Sequence, residues 1–151
     1  MDLAIDQLAR EAERAPQAPL LPQFILTNAE ARAQSGSIAS WLIAQGFGPG
    51  RLTLVVSAPA SPERTVLLLG ALRAGVLVVE SAGEAALAFT VQGGHLVSSD
   101  GIALAALAQG SIDAAVAERR LHIGADTPAR VIRGTRRCQG DFATIAEAVA
   151  D

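Results

Sequence analysis

The chain has 151 residues, of which 50% are hydrophobic and 18% charged, with a formal net charge of −3; this fits one folded domain spanning residues 1–151 and argues against a disordered chain. No basic stripe is present of the kind that nucleic acid or an anionic membrane requires, so neither partner is expected. All twelve basic residues are Arg, which removes from this chain every mechanism that needs its own lysine, including Schiff-base chemistry and a Walker-type phosphate loop.

The first element is an amphipathic helix over Leu3 to Arg14 with Asp2 as its expected N-cap. Pro16, Pro19 and Pro22 break helix, and Phe24-Ile25-Leu26-Thr27 reads as a short β run ending at Asn28, a good cap for the next helix. From Ala29 to Gln45 the residues Ile38, Trp41, Leu42 and Gln45 share one helix face, and Gly46 stops it. Arg51 to Ser57 is a nearly continuous apolar strand, as a sheet covered on both faces demands. Ser61-Pro62-Glu63 supplies a cap, a proline at the first helical position and an acid in the first turn, so a helix is expected from Pro62 to Ala74, stopped by Gly75. Val76 to Val79 then reads as a second buried strand.

After Glu80 the pattern changes. Ala86 to Val91 and His95 to Ser98 flank Gln92-Gly93-Gly94, which predicts a β-hairpin. Short helices follow over Ile102 to Gln109 and Ile112 to Arg120, the second capped by Ser111; Ala129 to Arg133 is a strand candidate, and Asp141 is the expected cap of a closing helix from Phe142 to Ala150. The fold class is therefore α/β: a mainly parallel sheet of βαβ units flanked by helices, with a β-hairpin in the second half.

The longest apolar stretches, Val66 to Gly70 and Val76 to Val79, fall far short of the roughly 20 residues that span a bilayer. Met1-Asp2-Leu3-Ala4-Ile5-Asp6 carries acid where a secretory signal carries base, and the lone Cys138 has no internal disulfide partner; both lead to an expectation of cytoplasmic residence. Aromatic residues make up only 3% of the chain, so its apolar material, mostly Ala, Leu and Val, is expected in close helix–sheet packing or in a protein interface.

Several of these segments together resemble a family. Phe24-Ile25-Leu26-Thr27-Asn28-Ala29-Glu30, then Ile38 to Leu42, then Gln45-Gly46-Phe47-Gly48-Pro49-Gly50 are similar to the opening pattern LTYAEL…A..LA..L...G..PGDRV of the adenylate-forming enzymes, the acyl- and aryl-CoA synthetases and adenylation domains. Leu52 to Val56 matches the strand after PGDRV, and Ser61-Pro62-Glu63 followed by Leu68 to Gly75 looks like NSPEF…LLGALRAGAV. The likeness runs from Phe24 to Val79, about a third of the chain, and LGALRAG is its most specific piece. In the family these positions are scaffold. The resemblance implies that Asp126 to Ile132 should lead into the phosphate-binding loop TSGTTGxPKG, whereas this sequence reads Arg133-Gly134-Thr135-Arg136-Arg137-Cys138-Gln139-Gly140, without that loop's proline or lysine. The family's adenine-binding, metal-carboxylate and lid segments are not expected either, so no catalytic residue, metal or cofactor is assigned.

The candidate anion ligands are Arg130, Arg133, Thr135, Arg136 and Arg137, since guanidinium matches phosphate oxygens in a bidentate fork; a solvated, salt-bridged edge explains the same cluster. A thiol site from Cys138 with His95 or His122 has nothing in the spacing to fix it, and the same residues lack the four-ligand pattern of structural zinc. Three functional readings follow. The first is a non-catalytic acyl-CoA-synthetase-like domain acting as an accessory, regulatory or scaffolding protein through an apolar interface with a second copy of itself or with a protein partner such as a synthetase or thioester enzyme. The second is one subunit of a split acyl- or aryl-CoA ligase, an acid–thiol ligase only when complemented. The third is a small acyl- or nucleotide-binding protein with its ligand at the carboxyl ends of the parallel strands, after Val56, Val79 or Ile132.

Overall fold

The computed structural model describes residues 2–110 and 114–150. Helix chemistry sets its best-marked element, α3 (Pro62–Ala74): the Ser61 side chain accepts the Arg64 N–H at 3.0 Å, Pro62 occupies the first turn, and Gly75 closes the helix at a left-handed φ of 74°. Every residue from Arg64 to Leu72 is buried, as expected of a helix packed on all sides. In front of it lie α1 (Ala4–Arg14), α2 (Asn28–Ala44) and β1 (Leu54–Ser57); behind it come β2 (Val78–Val79), β3 (Leu87–Gln92), β4 (His95–Ser98), α4 (Leu104–Leu107), α5 (Ala114–Arg120), β5 (Pro128–Ile132), β6 (Thr135–Cys138) and α6 (Ile145–Ala148).

The six strands form one sheet in the order β4-β3-β1-β2-β5-β6. Its four inner strands are parallel, with Leu54 opposite both Val78 and Leu87, and Val78 opposite Arg130. Antiparallel hairpins finish both margins, β3 with β4 and β5 with β6. Leu54, Val78, Leu87 and Phe89 belong to the main core with Ile38, Leu42 and Leu67 to Leu69. Val55 and Val79, one residue along their strands, are also buried but point to the other face. Val55 and Val79 line a crevice together with Arg64 and Arg130, and segment 80–86 leads from β2 back to β3. Thr53 fastens this segment: its Oγ1 donates to the Glu84 carbonyl at 2.8 Å, and its own carbonyl accepts the Ala86 N–H at 2.9 Å.

The α/β class, the parallel core and the hairpin around Gly93-Gly94 stand as the sequence implies; other expectations are corrected. Leu3, not Asp2, takes the cap position of α1, because the Asp6 carboxylate accepts the Leu3 N–H at 2.9 Å while Asp2 pairs with Arg10. Phe24 to Thr27 is no strand: Thr27 bridges Pro19, Leu26 anchors in the core, and Thr27 rather than Asn28 caps α2. β1 and β2 are shorter than the strands expected over Arg51 to Ser57 and Val76 to Val79. The helix expected over Ile102 to Gln109 contracts to Leu104–Leu107, and the closing helix to Ile145–Ala148, capped by Thr144 after a 3₁₀ turn over Gln139–Asp141. The proposed cap Ser111 lies outside the described residues.

A long-range ion pair ties α1 to α5. Arg120 donates from Nε and Nη2 to the Asp6 carboxylate at 2.8 and 2.7 Å, and this guanidinium, against the opposing effect of burial, holds the Asp6 carboxyl below its ordinary value. A carboxyl depressed in the folded state contributes stability that is full above its unfolded value, near pH ~4, and is lost as pH falls through the lower folded value. The contribution is expected to be about 1 kcal/mol, because the side chains retain 35% and 28% exposure and water screens the pair. Urea titrations between about pH 6 and pH 2 check this: Asp6→Asn should lose less stability across that range than the wild type does.

Candidate functional site

Parallel strands leave a crevice where their carboxyl ends meet the following helix, the usual place for a ligand in an open α/β sheet. Here that crevice measures about 280 Å³ at the ends of β1, β2 and β5, and Ser57, Arg64, Glu80, Arg130, Ile132 and Arg133 are among the residues that line it. Two of its arginines come from secondary structure and are deeply placed: Arg64, in the first turn of α3, is 6% exposed, and Arg130, in the middle of β5, is 7% exposed.

Both guanidiniums reach the last turn of the chain. Arg64 Nη1 donates to the Val149 carbonyl at 2.9 Å, and Arg130 Nη1 donates to the carbonyls of Ala148 and Ala150 at 3.1 and 2.5 Å. The carbonyl end of a short helix carries partial negative charge and open acceptors, so two buried cations fit that position. The backbone from Ala148 to Ala150 is thereby held against the strand ends.

Glu80 sits directly after β2 and faces the β5–β6 turn. Its Oε2 accepts the Arg133 N–H at 2.9 Å and its Oε1 the Gly134 N–H at 2.7 Å. The turn is a two-residue hairpin with φ of 51° at Arg133 and 78° at Gly134, a left-handed pair that glycine tolerates and arginine adopts only when its surroundings enforce it. Two adjacent amides pointing the same way make a small anion-binding concavity, and in this chain an internal carboxylate fills it. Glu80→Ala should therefore destabilise the fold by about 1–2 kcal/mol, with faster hydrogen exchange at Arg133 and Gly134 than elsewhere in the sheet; unchanged exchange at both amides would show that Glu80 does not hold the turn.

Of the five anion-ligand candidates, the structure brings Arg130 and Arg133 to the crevice. Thr135, Arg136 and Arg137 lie exposed on β6, opposite Ile132, Val131 and Arg130. Strand alternation sends Arg136 to one face and its two neighbours to the other. Segment 133–140 is thus turn, strand and 3₁₀ turn, not a glycine-rich loop opening a helix. Cys138 and His95 occupy β6 and β4, the two opposite margins of the sheet, and His95 Nδ1 lies 3.3 Å from Glu63 Oε1. Sequence reasoning passed over Glu80 and Arg64, although each carries a signal: a lone acid ending an apolar strand, and an arginine leading an apolar helical run.

No family model matches this chain, and no curated protein matches it. Among solved structures it is similar to VinN and to the complex of VinN with L-aspartate, each at 26% identity and TM-score 0.46, over 52% of this chain and 21% of that one. It is also similar to the inhibitor-bound N-terminal domain of FACL13 from Mycobacterium tuberculosis, at 26% identity and TM-score 0.44, over 54% of this chain and 21% of that one. The matched region is about a fifth of each of those chains, and TM-scores of this size do not establish a shared fold.

Proposed function

We propose that this chain is an acyl-CoA-synthetase-like domain that does not adenylate a substrate by itself and acts as an accessory or scaffolding protein through an apolar surface. The β5–β6 turn carries the reading. Where the resemblance places the start of a phosphate-binding loop, the chain makes a tight hairpin whose two convergent amides are already engaged by Glu80. In further support, the residues that resemble the family, Phe24 to Val79, fold as the consecutive series α2, β1, α3 and β2. Ile25 and Leu121, at 101% and 82% exposure, are large apolar side chains left to solvent, and covering either with a partner removes apolar area from water.

Two measurements on the whole chain test the proposal. Incubated with ATP, radiolabelled pyrophosphate and a panel of carboxylic acids, it should show no exchange; exchange by the chain alone overturns the non-catalytic reading, and exchange only after addition of a separate synthetase chain establishes the split-ligase alternative. Light scattering should report self-association that weakens in Ile25→Ser or Leu121→Ser, and a strict monomer that captures no synthetase or thioester enzyme overturns the scaffold role. The strand-end crevice favours a second reading, an acyl or nucleotide anion on Arg130 and Arg133. Raised melting temperatures with AMP, ATP or acyl-CoA would support it, and no shift with any of them would remove it.

A further inference from the structure

Arg64 and Arg73 lie near opposite ends of α3, about 13 Å apart along the helix. Arg73 faces a different cleft, of about 440 Å³, formed by α1, α2, α3 and α5. Ile5, Ala9 and Val116 give it an apolar wall, and Arg32, Arg73, Arg120 and Asp6 supply its charged groups. Three cations therefore meet one acid, and that acid is engaged: both Asp6 oxygens accept from Arg120, and one also accepts the Leu3 N–H. Arg32 lies 3.6 Å from Glu13 at the surface.

Arg73 differs from its neighbours. Its Nη1 donates to the Arg32 carbonyl at 2.7 Å and to Ser35 Oγ at 3.0 Å, both neutral acceptors. Among the described residues no carboxylate pairs with it, and its Nε and Nη2 hydrogens remain, the edge of the guanidinium that forks onto a carboxylate. Burial, and then the neighbouring charge of Arg32, push Arg73 down to about 10, as expected for a cation taken from water without a counter-ion. A cleft of this volume with an apolar wall and one directional cation suits a small amphiphilic acid.

We propose that this cleft binds an organic monocarboxylate with a short apolar tail, its carboxylate on the Nε and Nη2 edge of Arg73 and its tail against Ile5, Ala9 and Val116. The site is independent of the strand-end crevice and of the reading given to it. Sodium hexanoate, titrated into the full chain by calorimetry and by amide chemical shifts, is the probe. Saturable binding is expected, with shifts centred on α1, α5 and the end of α3, and at least about tenfold weaker binding of methyl hexanoate and of inorganic phosphate, which lack the charge and the tail respectively. Arg73→Met should weaken hexanoate at least about tenfold. Ala117→Glu, an exposed lining position, should do the same by setting an internal acid in the cleft, and it decides the matter if Arg73→Met fails to fold. Lack of saturation, equal binding of the ester or of phosphate, shifts confined to the strand ends, or unchanged affinity in the folded variants overturns the proposal.

Discussion

Gly70→Val is expected to lower the stability of the chain by about 3 kcal/mol, with loss of cooperative unfolding if the helices cannot separate. Gly70 lies in the middle of α3, where glycine normally weakens a helix by about 1 kcal/mol relative to alanine. Its retention reflects the contact with α2: a methyl group there falls 2.6 Å from Ile38 Cγ2, 2.9 Å from Ile38 Cβ and 3.2 Å from the Ser35 carbonyl oxygen. The first two atoms belong to a branched side chain that is fully buried, and the third to helical backbone, so none can swing aside. Even Gly70→Ala should cost about 1–2 kcal/mol despite its better helix propensity. Ile38→Ala alone should cost about 3 kcal/mol through the cavity it leaves, yet the double variant should cost less than the sum, because each change relieves part of the other. Chemical denaturation of the wild type, Gly70→Ala, Ile38→Ala and the variant carrying both reads this directly; strict additivity would show that the two helices do not meet at this residue.

Arg130→Ala should also remove about 3 kcal/mol. Its guanidinium donates to two carbonyls from a buried position, and hydrogen bonds to a charged group contribute about 1.5–3 kcal/mol each, less what water restores when the chain end lifts. Arg130→Lys should recover only part of the loss, since both bonds leave the terminal Nη1, one atom farther from the backbone than a lysine ammonium reaches. Hydrogen exchange localises the effect, with amides of α6 losing protection before those of β1 and β3. A loss below about 1 kcal/mol with α6 still protected would mean that Arg130 does not hold the chain end, and would return it to the role of ligand.

How far the sequence was legible depended on whether local chemistry and tertiary environment agreed. For α3 they agreed at both ends, so Ser61, Pro62 and Gly75 gave its limits as the structure has them. The Gln92-Gly93-Gly94 turn was equally plain, because two successive glycines of positive φ suit a hairpin. Phe24 to Thr27 misled because its burial does alternate as in a strand, with Phe24 and Leu26 inward and Ile25 wholly exposed, yet it forms only the isolated Pro19–Thr27 bridge and joins no sheet. The β6 strand escaped notice for the opposite reason: Thr135-Arg136-Arg137-Cys138 has no apolar alternation, since only its partner β5 meets the core. At the site, Arg130 was visible as a cation but not its hold on Ala148 and Ala150, a contact across 18 and 20 residues that depends on where the last turn docks. Arg73 stood inside the LGALRAG motif, where its likeness to a family scaffold hid the fact that an arginine within an apolar helix must find either a counter-charge or an opening.

The outermost strand on one side of the sheet, β6, has a further consequence. Unpaired amides and carbonyls along a free margin invite another chain to zip on, the first step of ribbon-like aggregation. Side by side on this margin stand Arg136 and Arg137, both exposed and directed to opposite faces, so a copy approaching from either side meets like charge. Without a single lysine in its composition, the protein gives guanidinium the gatekeeper's part that ammonium so often plays, and thereby guards its solubility at the place where strand exchange would begin.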